Sequence, residues 1–242
     1  MIKNSEIEFF ESIKDNCKII FDIGCREDIN YLKISSGKNF YLFEPNPISF
    51  DECKAKINQF IEKQINKTNR VALYNCGISN VTGSLDYYQD TQSFFKRHSH
   101  VQSNSIGVPL RIKKFSEFLK ENNIDFIDFL KIDAEGCEAD ILLDDIDFIK
   151  NNVKYIQFEW ASTWLDRDDD IDFTNIYNIY IDIFDFYFLY DEEHPWKECY
   201  TEMLTSIVGQ DDFEELNRSI YEGYGLDIVM IKKNYNKKDI NK

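Results

Sequence analysis

Apolar runs that fill both faces of an extended segment alternate along this chain with stretches in which apolar residues recur every three or four positions. Ile7, Phe10 and Ile13 predict an amphipathic helix over Ser5 to Asn16. Lys18 to Phe21 (KIIF) reads as a first strand, ended by Asp22-Ile23-Gly24, and a short helix follows that stops near Gly37. Phe40 to Phe43 (FYLF) is a second strand, closed by Glu44-Pro45. Asn46 and Pro47 then supply a cap and a first-turn proline to a helix with a stripe of Phe50, Cys53, Ile57, Phe60 and Ile61. Val71 to Tyr74 is a third strand, followed by Asn75-Cys76-Gly77.

Thr82 to Asp90 reads as one strand of a small hairpin. Thr91 to Gly107 is polar, has no clear period and carries His98 and His100; a loop of that length inside a compact domain is usually functional or mobile. Val108 to Ile112 is a short strand, and Phe115, Phe118 and Leu119 mark a helix. Phe126 to Ile132 is apolar on both faces, as in a central parallel strand, and Asp133 and Glu135 arrive where that strand ends. Cys137 to Leu143 starts a helix and Val153 to Trp160 is a fifth major strand. Asp172 to Phe184 is a helix, Phe186 to Tyr190 a strand, Asp211 to Tyr221 a helix and Leu226 to Lys232 a last strand. Alternating strands and helices without a linker or repeat predict an α/β fold: a largely parallel sheet with helices on both faces. One domain over residues 1–242 is expected, with an N-terminal helix (1–17), a cofactor-binding core (18–160), a C-terminal part (161–232) and a frayed tail (233–242).

Charge narrows the partners. Lys plus Arg number 28 against 44 Asp plus Glu, a formal net charge of −16, which repels a phosphate backbone. The one small basic run is Lys96 to His100. No nucleic-acid partner is expected. The six cysteines (Cys17, Cys25, Cys53, Cys76, Cys137 and Cys199) lack metal-site spacing and read as reduced thiols. The N-terminal stretch lacks the apolar core of a signal peptide and no stretch approaches a membrane span, so a cytoplasmic protein without a membrane partner is expected.

The candidate chemistry lies at strand ends, where open α/β sheets bind ligands. Glu44 follows Gly24 by 20 residues, the interval at which an acid accepts hydrogen bonds from ribose hydroxyls. The intervening turn, Gly24-Cys25-Arg26-Glu27-Asp28, has one glycine and two acids where a G-x-G-x-x-G loop would cradle a pyrophosphate. That disfavours NAD, FAD and ATP, and with them a nucleotide-dependent oxidoreductase. S-adenosylmethionine carries the same adenosine without phosphate, and its sulfonium and ammonium tolerate neighbouring acids. Lys131, Asp133, Glu135 and Glu138 cluster at the end of the fourth strand of this unit. For Glu138 the simpler reading is a helix cap. Lys131 shares a face with Asp133, either as its partner or as a ligand-binding group.

These residues resemble the FkbM-type S-adenosylmethionine-dependent methyltransferases, from Ile19 to about Trp160. IIFDIG is similar to that family's first motif and FEPNP (43–47) to its second. Asn75 to Ser79 with Gly83-Ser84-Leu85 is similar to its third, and Lys131, Asp133, Glu135, Gly136 and Glu138 carry its K-I-D-x-E-G-x-E signature. QFEW (157–160) resembles its next strand, ending at Glu159. Asp28 departs from the pattern, standing where the family has a second glycine. The resemblance implies a class I methyltransferase fold, a seven-stranded sheet with one antiparallel strand near an edge (a place suited to Leu226 to Lys232), and O-methylation, often of sugars or other natural products. The candidate cofactor-binding set is Asp22, Gly24, Cys25, Glu44, Pro45, Asn46, Cys76, Gly77 and Asp133.

The implied reaction is a methyl transfer from the sulfonium to a hydroxyl of a sugar, glycan or other small natural product, with alignment supplying much of the rate. Candidate catalytic residues are Asp133, Glu135, His98, His100, Lys131 and Glu159, with the base left open among them. Asp133, Glu135 and Glu159 also suit a divalent cation by chemistry, although spacing does not support one. Trp160, Trp164 and Trp196 offer stacking faces or core packing, and His194 stands in a turn beside Pro195. The rival from another class is a catalytically degenerate binding or scaffold protein with the same fold. A nucleic-acid methyltransferase is disfavoured by the charge and by the absence of adjacent prolines in an Asn/Asp-Pro-Pro-Tyr/Phe motif. The sequence leaves the oligomeric state open.

Overall fold

The computed structural model describes residues 5–63, 68–94, 97–98, 101–161, 163–164, 171–189, 203–222 and 225–235. Helix α1 (Ser5–Ile13) is followed by a single 3-10 turn and by β1 (Ile19–Ile23), α2 (Asn30–Lys33), β2 (Asn39–Phe43), α3 (Pro47–Glu62) and β3 (Arg70–Tyr74). Short strands β4 (Gly77–Ser79), β5 (Gly83–Tyr87), β6 (Arg97–His98), β7 (Val101–Gln102) and β8 (Val108–Lys114) lead to α4 (Phe115–Glu121) and β9 (Ile127–Ile132). Then come α5 (Glu138–Asp144), α6 (Ile146–Asn152), β10 (Val153–Trp160), α7 (Phe173–Tyr180), β11 (Phe184–Leu189), β12 (Leu204–Ser206), α8 (Gln210–Tyr221) and β13 (Leu226–Lys232).

Among the described residues the main sheet has eight strands, ordered β12-β11-β13-β10-β9-β1-β2-β3. The five strands from β10 to β3 are parallel. Strand β13 runs antiparallel to both β10 and β11, and β12 antiparallel to β11. The expected seven-stranded count is therefore corrected to eight: Leu226–Lys232 takes the antiparallel place expected of it, and Leu204–Ser206 adds an edge strand. That strand has three residues, too short for a period of two to show in sequence.

Strict alternation along the central strands sends side chains to two cores. Phe21, Ile23, Leu130, Ile132, Ile156 and Phe158 face one core, shared with α4, α5, α7 and α8. Ile20, Phe129, Tyr155, Val229 and Ile231 face the other, which α1 covers with Phe9, Phe10 and Ile13. Lys131 and Asp133 share the parity of Phe129, so the polar end of β9 points to the α1 side.

Asn46 caps α3 by accepting from the Ile48 amide at 2.9 Å, as the Asn-Pro pair predicts. The stripe expected on α3 ends early, for Ile61 is exposed. The helix expected over Asp172 to Phe184 is shorter. It is held at its start by a reciprocal capping box between Asp172 and Asn175, and it ends at Tyr180. Phe184 continues the helical spacing in sequence but begins β11, where Phe-x-Phe alternation takes over. Strand β5 pairs with β8 across the long polar segment. Asp90 gathers that segment back by accepting from the Asn104 amide at 2.8 Å and the Ser105 hydroxyl at 2.7 Å. Among the described residues no helix is long and apolar enough to cross a membrane.

Candidate functional site

The site begins where β1 ends. The chain turns at Gly24 with φ +82°, and the Gly24 and Cys25 amides donate to the Phe43 carbonyl at 2.9 and 3.1 Å. Only a glycine fits there. A Cβ at position 24 would lie 1.7 Å from the Asp133 carbonyl oxygen, which binds the strand ends of β1 and β9 together without a side chain between them. Glu44, 4% exposed at the end of β2, has one carboxylate oxygen on the Arg26 amide (2.9 Å) and the other on the Asn46 amide (2.7 Å). Burial pushes its carboxyl up to about 7, partly offset by those two amides.

At the end of β9 the chain makes a tight turn through Glu135 (φ +53°) and Gly136 (φ +109°). Glu138 holds it. The carboxylate is buried and accepts from the Ala134 amide at 2.8 Å and the Gly136 amide at 3.0 Å. Burial raises Glu138 to about 8 against those amides. This is the structural reading of Glu138, as a brace for the turn rather than a group in the cleft. Glu135 leaves the turn to form an ion pair with Arg26, so the two loops are tied across the mouth. Lys131 sits 3.1 Å from Asp133 Oδ2 and 3.6 Å from Glu6 Oε1 of α1. Burial pulls its ammonium down, but Asp133 and then Glu6 outweigh that and hold it well above the ordinary lysine value.

A cleft of about 230 Å³ opens between these loops. Gly24, Arg26 and Glu44 form one side, Asp133 and Glu135 another, and Pro45, Ile78 and Phe94 give it an apolar end. A separate cavity of about 30 Å³ lies beneath α1, lined by Glu6, Asp22, Asp28, Tyr31 and Lys131. Asp22 and Tyr31 are buried there with Oδ1 and the hydroxyl lacking a hydrogen-bond partner. Burial pushes Asp22 up to about 7, with Lys131 opposing.

Of the residues singled out from sequence, Gly24, Glu44, Pro45, Asn46, Gly77, Asp133 and Glu135 line the large cleft. Asp22, Cys25 and Lys131 line the small cavity instead. Cys76 packs into the apolar core, and its thiol is raised by burial. Glu159 stands one strand beyond Asp133, and burial, then Asp133, raises it well above the usual carboxylate range. Asp28, where a glycine is expected, accepts from both the backbone and side-chain nitrogens of Asn30 at 2.7 Å, just ahead of α2. His98 lies on the short β6–β7 pair; its side chain, and His100, His194, Trp196 and Cys199, lie outside the described residues. Trp160 and Trp164 are buried, donating to the Leu216 and Glu159 carbonyls, so they pack rather than stack on a ligand. Sequence reasoning missed Glu6, Tyr31, Gln157 and Asp227. A polar residue at an inward position of an apolar run was the available signal for Gln157 and Asp227; Glu6 carried none.

Residues 23–194, well over half the chain, match the methyltransferase FkbM domain family. No curated protein matches. Among solved structures the chain is similar to methyltransferase FkbM from Methylobacillus flagellatus KT, with 14% identity and a TM-score of 0.49 over 79% of this chain; it spans 42% of that longer chain. It is also similar to a precorrin-6y C5,15-methyltransferase from Geobacter metallireducens GS-15, with 11% identity, a TM-score of 0.40 and coverage of 95% of this chain and 89% of that one.

Proposed function

Because the chain belongs to the methyltransferase FkbM domain family, we propose that it is an S-adenosylmethionine-dependent methyltransferase directed at a hydroxyl of a sugar, glycan or other small natural product. The observation that carries the cofactor is Glu44. Each of its oxygens is fixed by one backbone amide and keeps a lone pair for a ribose hydroxyl at the edge of the cleft. The donor chemistry fits this cofactor. The loop after β1 offers acids rather than a nest of amides for phosphate, and Pro45, Ile78 and Phe94 offer an apolar seat for a base. When bound, S-adenosylmethionine supplies an electrophilic methyl group on sulfur.

The chain's own residues then orient the acceptor and take its proton. Asp133 is the base in this reading. Lys131 holds its Oδ2 at 3.1 Å, leaving Oδ1 to accept the hydroxyl proton. Glu135 is less suited, because Arg26 engages it. Lys131 acts through Asp133, as a positioning residue.

The test is calorimetric titration of the protein with S-adenosylmethionine and S-adenosylhomocysteine beside a Glu44→Ala variant. Saturable binding that weakens roughly a hundredfold in the variant supports the reading. A folded protein that binds neither compound overturns it and leaves the scaffold alternative.

A further inference from the structure

On the α1 side of the sheet, the carboxyl ends of β1, β9 and β10 and the amino end of antiparallel β13 carry a continuous polar surface. Asp22 of β1 and Gln157 of β10 both pair in register with Lys131 of β9. One step further along, Glu159 of β10 pairs with Asp227 of β13, beside Asp133. Glu6 leans in from α1. Five carboxyl groups thus face one another with the Lys131 ammonium among them. At a strand spacing of about 4.8 Å, the surface from β1 to β13 runs roughly 14 Å, so Glu159 and Asp227 lie well beyond the Gly24–Glu44 cleft.

The hydrogen bonding of this surface is incomplete: two buried acceptors lack donors, and the Tyr31 hydroxyl, which shares the small cavity with Asp22, lacks a partner too. The Gln157 amide nitrogen donates to Glu6 at 2.7 Å and to Asp227 at 3.2 Å, which fixes its orientation within the cluster. Its Oε1 is then a fully buried acceptor without a partner, and so is Oδ1 of the 5%-exposed Asp22. Buried acceptors of this kind are rare and usually mark a missing ligand, ion or water. Gly225 lets the Glu159 carboxylate lie close against the backbone, since a Cβ there would lie 2.7 Å from Glu159 Oε1. The carboxylates are spread along strands rather than gathered about a point, and among the described residues no group of three or more is arranged to hold a metal ion.

We propose that Glu159, Asp227 and Gln157 form an acceptor subsite for a primary ammonium group, so that the methylated hydroxyl belongs to an amine-bearing molecule such as an amino sugar. This rests on the methyltransferase reading, with Asp133 at the junction between cofactor cleft and subsite. The ammonium brings three donors and a second positive charge to a surface on which five carboxyl groups share the Lys131 ammonium.

The test is calorimetric titration of the full chain with probe pairs of near-equal size in which ammonium replaces hydroxyl: glucosamine against glucose, and 1,4-diaminobutane against 1,4-butanediol. Each is run with and without saturating S-adenosylhomocysteine, which separates the acceptor's ammonium from the cofactor's. The expected result is at least about tenfold tighter binding of the charged member of each pair, retained with S-adenosylhomocysteine present and lost in a Glu159→Gln/Asp227→Asn variant. That variant removes crowded acids, so its melting temperature is expected to hold or rise, and melting reports folding independently. Equal binding within both pairs, no binding of any probe, or a preference unchanged in the variant overturns the proposal. Loss of the preference only when S-adenosylhomocysteine is present also overturns it, assigning the ammonium site to the cofactor. Failure of S-adenosylhomocysteine to bind, with the amine preference intact, instead removes the methyltransferase reading and leaves the ammonium site standing.

Discussion

Gly24 and the Asp133 carbonyl are in such close approach that the ends of β1 and β9 leave no room for a Cβ between them. Gly24 also has φ +82°, so two independent effects forbid a side chain. Gly24→Ala is expected to destabilise the fold by about 3 kcal/mol or more, the sum of left-handed strain and a main-chain clash that no rotamer relieves. Urea denaturation of the pair measures it. A midpoint unchanged by the substitution would show that the two strand ends separate freely.

Glu138 supplies a sharper contrast. Its carboxyl, raised to about 8 by burial, is largely protonated at neutral pH while it braces the Ala134 and Gly136 amides. Glu138→Gln keeps an acceptor oxygen of the same reach and is expected to change stability at pH 7 by less than about 1 kcal/mol. Glu138→Ala strands two buried amides and is expected to cost about 3 kcal/mol. The two variants melted side by side decide whether the residue acts as an acceptor or as an anion.

This contrast also shows what the sequence displays. The strand-ending acids, the single glycine and the Asn46-Pro47 helix start are local signals, each set by neighbours within four residues, and they place Gly24, Glu44 and Asp133 around one cleft. The α1-side polar surface is not local. Glu6, Lys131, Gln157 and Asp227 come from four elements up to 221 residues apart in number, and their meeting depends on sheet order. Cys76 sits two residues after a strand in a motif-like position, yet its side chain falls on the core side, the parity it shares with Tyr74. The true end of α7 is hidden because Phe184 satisfies helical and strand periods together, and edge strand β12 because three residues show no period.

Lys131 is the cation that makes this surface tolerable. It faces Asp133 at 3.1 Å and Glu6 at 3.6 Å and stands beside Asp22 in register. Lys131→Met retains the stem volume and removes the charge, leaving the acids uncompensated. A loss of about 3–5 kcal/mol is expected at pH 8, where Asp22, raised to about 7, ionises, and a clearly smaller loss at pH 5.5. Equal losses at both pH values would mean that packing, not charge, is what the residue contributes.

The buried acids give the whole protein a pH profile whose sign can be worked out. Asp22, Glu44 and Glu138 are raised in the fold to about 7, 7 and 8 from ordinary values of 3.8, 4.5 and 4.5, chiefly by burial. Between the lower and upper values the native state binds more protons than the unfolded chain, so stability falls as pH rises through that window. Asp90 works in the opposite direction: the Ser103 and Ser105 hydroxyls hold it below its ordinary value, so its contribution is lost only in acid. A stability maximum near pH 4 follows, with a decline of a few kcal/mol, roughly 3, by pH 8 after allowance for relaxation around the buried groups. Denaturation midpoints at half-unit pH steps test this. Glu138→Gln should flatten the alkaline limb, because it removes the group with the highest of the three values. A ligand that supplies positive charge to the same surface should do likewise, since it favours the ionised acids in the native state alone; an amine that binds without flattening the limb is bound elsewhere on the protein.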